Sequence, residues 1–209
     1  MVIATYNNKG GVGKSTLAAH IGFRAADLDK ALTVVDADRQ LNTMAWLSGH
    51  EYTDEDTFEL GSVQVTTSLD AAQNDTILID CPPAFEVVKR FPDVDVWLIP
   101  VGGRFALDGA VNVVGEVRKI EKNPRIVLIA NKVNANTEIG RHEIEEIQKL
   151  DVELFQLPIP QADVVRKAEM LGVPTWKVPY GVRSNTTQAL QALADWVLRG
   201  CNTRGTYNG

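Results

Sequence analysis

The chain has 209 residues, 44% of them hydrophobic, which suffices for one sizeable core and is too short for two full-sized domains. Its 21 Lys and Arg against 27 Asp and Glu leave a formal net charge of −6, which excludes a global basic field drawing it onto nucleic acid or an anionic membrane. Residues 151–209 carry 6 basic and 5 acidic side chains, so the acidic excess lies in residues 1–150 and any nucleic-acid patch is expected in the C-terminal third.

Short β-branched runs alternate with helical patterns along the whole chain. That rhythm predicts an α/β fold: a single domain with a mostly parallel central sheet and helices on both faces. Strands are expected near 2–6, 32–36, 63–66, 76–80, 94–99, 125–130, 152–156 and 173–177, most of them too uniformly apolar to have a wet face. Helices are expected over 15–28, 41–48, 84–91, 106–122, 137–149, 162–171 and 185–199, with Asn123-Pro124 and Gly200 as stop signals. The domain is expected to fill residues 1–200. The acidic segment from Glu51 to Glu59 reads as a solvated loop, and residues 201–209 as a flexible tail. Cys81 sits in an apolar run and Cys201 in polar sequence, a spacing that makes neither a metal motif nor a disulfide framework. With no apolar run of about 18 residues and no leader-like start, a cytoplasmic protein without membrane insertion is expected.

After the first strand comes Asn7-Asn8-Lys9-Gly10-Gly11-Val12-Gly13-Lys14-Ser15-Thr16, opening a helix. A Gly-rich loop turns its backbone N–H groups onto phosphate oxygens, and the helix that follows adds its positive end. Lys14 is placed to reach the β- and γ-phosphates, Ser15 to ligate Mg²⁺, and Thr16 to meet the α-phosphate side. The second strand ends at Asp36, with Asp38 two residues on. Alternation along an extended chain sends both carboxylates to one side, although Asp36 also fits as a cap for the next helix. Asp80 closes the run Thr76-Ile77-Leu78-Ile79, where a carboxylate can hold Mg²⁺ through water.

The octapeptide from Lys9 to Thr16 resembles the deviant Walker A box of the ParA/MinD ATPases, and Asp80-Cys81-Pro82-Pro83 resembles their switch II. The resemblance implies that Asn8 through Thr16 cradle ATP, and that Lys9 reaches across a nucleotide-sandwich homodimer. It implies that Asp38, in a switch I usually written DxDPQ, orients the attacking water, and that Ser15, Asp36 and Asp80 serve the metal. Arg39 replaces the usual proline of that switch. Asn131, Ile159 and Pro160 resemble the adenine-binding edge, with a turn cap as the plainer reading of Asn131. Lys9, Lys14 and Asp38 are thus the expected catalytic residues, and ATP with Mg²⁺ the expected cofactors.

The same resemblance implies slow hydrolysis stimulated by a ParB-like adaptor, and binding of the ATP dimer to non-specific DNA on the nucleoid in plasmid or chromosome segregation. Arg166, Lys167, Lys177 and Arg183 are the candidate DNA contacts, with a solvated helix face as the alternative. Two other readings stay open: a small metabolic P-loop enzyme of the dethiobiotin synthetase kind, and a MinD-like spatial regulator. The lack of a basic amphipathic tail argues against the latter. An iron–sulfur cluster of the nitrogenase iron protein kind is not expected, because Cys201 is badly placed for it.

Overall fold

The computed structural model describes residues 1–50, 56–91, 93–102, 106–121 and 123–202. In chain order the elements are β1 (Val2–Thr5), α1 (Lys14–Asp27), β2 (Leu32–Asp36), α2 (Asn42–Leu47), β3 (Thr57–Leu60), β4 (Val63–Thr66), β5 (Ile77–Asp80) and α3 (Phe85–Val88). There follow β6 (Val96–Val101), α4 (Ala106–Ile120), β7 (Ile126–Ala130), α5 (Glu138–Gln148), β8 (Glu153–Leu154), α6 (Asp163–Met170) and α7 (Asn185–Leu198). The strands form one sheet in the order β3-β4-β2-β5-β1-β6-β7-β8, parallel throughout except for the β3–β4 pair.

The period-2 alternation of side chains sorts consecutive strand residues into two separate cores. Ile3, Val34, Leu78, Leu98 and Val127 face α1 and α7, where Leu17, Ile21, Leu190, Leu193 and Val197 meet them. Ala4, Val35, Ile79, Ile99 and Leu128 face the other layer, where Val113, Val117, Ile144 and Ile147 of α4 and α5 pack. Both faces are covered, so the strands read as continuous apolar runs. The apolar stripe of α7 is core, as its spacing implies.

Four expectations need correction. The segment 173–177 is not a strand: Pro174 has no N–H to give a ladder, and Thr175–Lys177 closes into a 3-10 turn against α1. β3 lies within and just beyond the stretch expected as a loop, and a Gly61 turn (φ 60) returns the chain antiparallel onto β4. The remainder of that loop, residues 51–55, falls outside the described residues. Helix α3 spans four residues rather than eight. Cys201, placed by sequence in the tail, is buried, and its carbonyl accepts a hydrogen bond from Arg125 at 2.9 Å; residues 203–209 lie outside the described residues.

Candidate nucleotide site

The carboxyl ends of β1, β2 and β5 lie side by side, and everything that follows them converges on one cleft of about 360 Å³. Gly10, Gly11, Gly13, Lys14, Ser15 and Thr16 form one wall. Gly13 is the N-cap of α1 at φ 105, a conformation that side chains disfavour, and a Cβ there would collide with the Asn131 amide. The loop is anchored from below, because Asn7 accepts from the Lys9 N–H at 2.9 Å and donates to the Pro100 carbonyl at 2.9 Å. Asn8 donates to Glu116 on α4, which also accepts from the Tyr6 hydroxyl at 2.7 Å. Lys14 is buried, whereas Lys9 is exposed at the loop's outer edge.

Under this loop runs a row of side chains set by strand register, with Thr5 beside Asp80 and Asp80 beside Asp36. The Asp80 carboxylate accepts from Thr5 at 3.0 Å and from Thr43 at 2.6 Å, and Ser15 also donates to it. Burial pushes both carboxyls up; for Asp36 burial acts first and the Asp80 charge second, reaching about 7. Two buried carboxylates side by side, with a hydroxyl of the phosphate loop on one of them, are short of positive charge. Mg²⁺ fits that deficit. It favours few protein ligands completed by phosphate and water, and no cage of three or more acidic or His/Cys ligands exists among the described residues. Ser15 and Asp80 would hold it, and it would neutralise charge developing on the phosphates.

Residues 3–175 match the family described as the CobQ/CobB/MinD/ParA nucleotide binding domain. The chain belongs to this family. It is similar to the sporulation initiation inhibitor protein Soj of Bacillus subtilis, 26% identical over 92% of this chain and 96% of the relative. In fold it is similar to the septum site-determining protein MinD complexed with Mg-ADP from Pyrococcus horikoshii, with TM-score 0.72, 19% identity, and coverage of 96% of this chain and 97% of that one. It is likewise similar to a plasmid partition protein from Borrelia burgdorferi bound to AMPPNP, with TM-score 0.72, 17% identity, and coverage of 95% and 98%. The chain is a P-loop nucleotide-binding ATPase of this family.

The other wall of the ATPase cleft comes from Asp38, Gln40, Asn42, Trp46, Pro83, Lys132 and Glu169. Asp38 stands at the cleft and accepts from the Gln40 N–H at 3.1 Å. Asp36 does not open to the cleft in the same way: it is buried and accepts from the Met44 N–H in the first turn of α2 at 2.9 Å and from the Asp38 N–H at 3.2 Å. Its carboxylate thus meets the first turn of α2, whose N-cap is Leu41. Two residues beyond Arg39, which stands at the usual proline position, Leu41 turns through a left-handed conformation (φ 51) directly before α2.

Several functional neighbours were invisible in the sequence. Trp46 donates to the Val173 carbonyl at 3.0 Å and packs edge-on against His20, which also meets Trp176. His20 is buried in α1; its Nδ1 bonds the Thr16 carbonyl at 2.7 Å, and its Nε2 accepts from the Thr175 N–H at 3.3 Å. Burial lowers its pKa to about 4, with the Thr16 carbonyl acting against that, so the ring is neutral. Only the apolar face of α2 hinted at Trp46, and nothing hinted at Thr43.

Asn131 is buried and donates to the Val12 carbonyl at 2.6 Å, so its amide straps the phosphate loop. Ile159 pairs with it as a single parallel bridge, and Pro160 accepts from Thr186 of α7 at 2.9 Å. The basic residues of the C-terminal third do not form one uniform patch. Arg166, Lys167 and Arg183 are exposed, with no ion pair among the described residues, but Lys177 pairs with Asp27 at 2.9 Å. Trp176 donates to the same Asp27 at 2.7 Å. Cys81 and Cys201 belong to cores on opposite faces of the sheet.

Proposed function

We propose that this ATPase is a ParA-like positioning protein. Its ATP-bound form pairs face to face, holds non-specific duplex DNA, and releases it when an adaptor of the ParB kind stimulates hydrolysis, in plasmid or chromosome segregation. The observation that carries this reading is the division of labour between two lysines of one loop. Lys14 is buried against the phosphate site, while Lys9, five residues earlier, stands exposed with no ion pair among the described residues. A cation held outside its own site serves a triphosphate best when a second copy closes over it and excludes water. The Soj relative, named for sporulation control, and the Borrelia partition protein support a positioning role over a metabolic one.

In this reading Lys14 and the loop N–H groups hold the phosphates, Ser15 and Asp80 hold the metal, Asp38 orients water, and Lys9 neutralises charge across the interface. Hydrolysis in this reading is slow until the adaptor acts. Light scattering with Mg-ATP tests the scheme. Lys9→Ala should bind ATP yet stay monomeric, whereas Asp38→Ala should accumulate as a trapped dimer. A Lys9→Ala protein that dimerises and hydrolyses like the wild type would sink it.

A further inference from the structure

The loop that carries Lys9 is exposed at its outer edge, and holding an exposed backbone in one conformation costs entropy that fixed partners must offset. Three contacts hold this one. The Lys9 N–H donates to Asn7 Oδ1 at 2.9 Å, and the Lys9 carbonyl accepts from Lys14 Nζ at 3.4 Å. The third comes from outside the loop: the side-chain amide of Asn8, directly before Lys9, donates to the two carboxylate oxygens of Glu116 at 3.2 and 3.3 Å. Glu116 stands in α4, 108 residues away along the chain.

That carboxylate is itself fixed. The hydroxyl of the fully buried Tyr6 donates to it at 2.7 Å. Burial, and then the bond to Glu116, push the Tyr6 pKa well above its ordinary value, so the hydroxyl stays a donor. Tyr6 packs edge-on against Trp97 at 6.1 Å, and Trp97 Nε1 donates at 3.1 Å to Glu121, just beyond the end of α4. The helix is thus tied to the sheet at two points. A carboxylate kept only to fasten α4 would be served by Tyr6, yet this one also grips the residue next to Lys9.

We propose that Glu116 is a positioning residue for Lys9. Through Asn8 it holds the outer edge of the phosphate loop against α4, so that Lys9 is presented to the phosphates of a second copy of this chain and little further order has to be imposed as the two close. The inference rests on the reading that two copies pair face to face through Lys9, and it assigns a residue that the phosphate motif does not contain.

Hydrogen exchange at the Lys9 amide tests the hold on the loop without nucleotide, and sedimentation with Mg-ATP tests its consequence for pairing. Glu116→Ala should speed that exchange by about ten-fold, the worth of one hydrogen bond to a charged group. It should raise the dissociation constant of the ATP dimer by about 25-fold, or roughly five-fold for each subunit, the cost of ordering one loosened side chain on each side. Calorimetry on the dilute Glu116→Ala monomer should give nearly wild-type affinity for Mg-ATP. Glu116→Gln can accept from Tyr6 and donate to the Asn8 side-chain oxygen, so it should reverse most of both effects, whereas Tyr6→Phe should show both weakly. Thermal melting confirms that each variant is folded. Unchanged Lys9 exchange in a folded Glu116→Ala would overturn the hold on the loop, and faster exchange with wild-type pairing would overturn the positioning role. Monomer ATP binding weakened as much as pairing would also overturn it, because a merely structural loss disturbs the whole loop. If the wild type did not pair with Mg-ATP while Glu116→Ala still sped the exchange, the pairing reading would fall and the hold on the loop would stand.

Discussion

The row of side chains under the phosphate loop and the basic surface around α6 hold charge in opposite ways. In the row, Asp80 is buried and receives three hydroxyl donors, and Asp36 ties down the first turn of α2. Around α6, Arg166 and Lys167 are exposed and solvated. A charge with several fixed partners in low dielectric makes each substitution large and specific, whereas a solvated charge contributes little and adds with its neighbours. The comparison teaches where this protein concentrates its chemistry and where it keeps an adjustable surface.

The largest expected effect lies in the row's upper layer. Lys14→Ala should lower ATP affinity by at least about 100-fold, because its buried cation lines the cleft where a triphosphate would sit. Wild-type affinity by calorimetry would break the assignment of the phosphate site.

The next effect is pH dependence, and two buried groups act with opposite sign. His20, lowered to about 4 from 6.5, contributes stability that is present above 6.5 and is lost as pH falls toward 4. Asp36, raised to about 7 from 3.8, contributes stability that is present below 3.8 and is lost as pH rises through 7. In nucleotide-free protein Asp80, raised as well, acts in the same direction as Asp36, so the two carboxyls oppose His20 between pH 4 and 6.5. His20→Gln should expose the Asp36 slope, so the stability gap between wild type and variant should widen by about 3 kcal/mol as pH rises from 4 to 6.5. Denaturant melts across that range give the answer, and a constant gap would show that His20 does not remain neutral in the fold.

Thr43→Val should be smaller, at about 1–2 kcal/mol of stability, since it removes one of the donors on Asp80 and leaves the shape intact. Thr43→Ser should behave as wild type in the same melts. The smallest effects belong to the surface. If each subunit neutralises about two phosphates, DNA binding by the ATP dimer should fall with log[salt] at a slope near −3.6. Arg166→Glu with Lys167→Glu should flatten that slope on every DNA sequence alike and leave ATP-driven dimerisation unchanged. Equal DNA binding with ATP and with ADP would separate the surface from the nucleotide switch.

Sequence by itself determined whatever depends on residues close along the chain. The phosphate loop was legible because strand, glycines, Lys14, Ser15 and helix follow one another without a break. Asp80 was legible as the last residue of an apolar run, and most strands as short β-branched segments. The 173–177 segment failed because its short apolar pattern does not say whether a neighbouring strand edge is free to receive it. Asp36 kept two roles open in the sequence, and the fold sets the first turn of α2 against its carboxylate.

Only the fold could bring Thr43 to Asp80 across 37 residues, Lys132 to Gly11 across 121, and Thr175 to His20 across 155. Side-chain partners of that kind have no spacing rule. They arise because parallel strands far apart in sequence end at the same edge of one sheet, and whatever follows each strand is delivered to the same cleft.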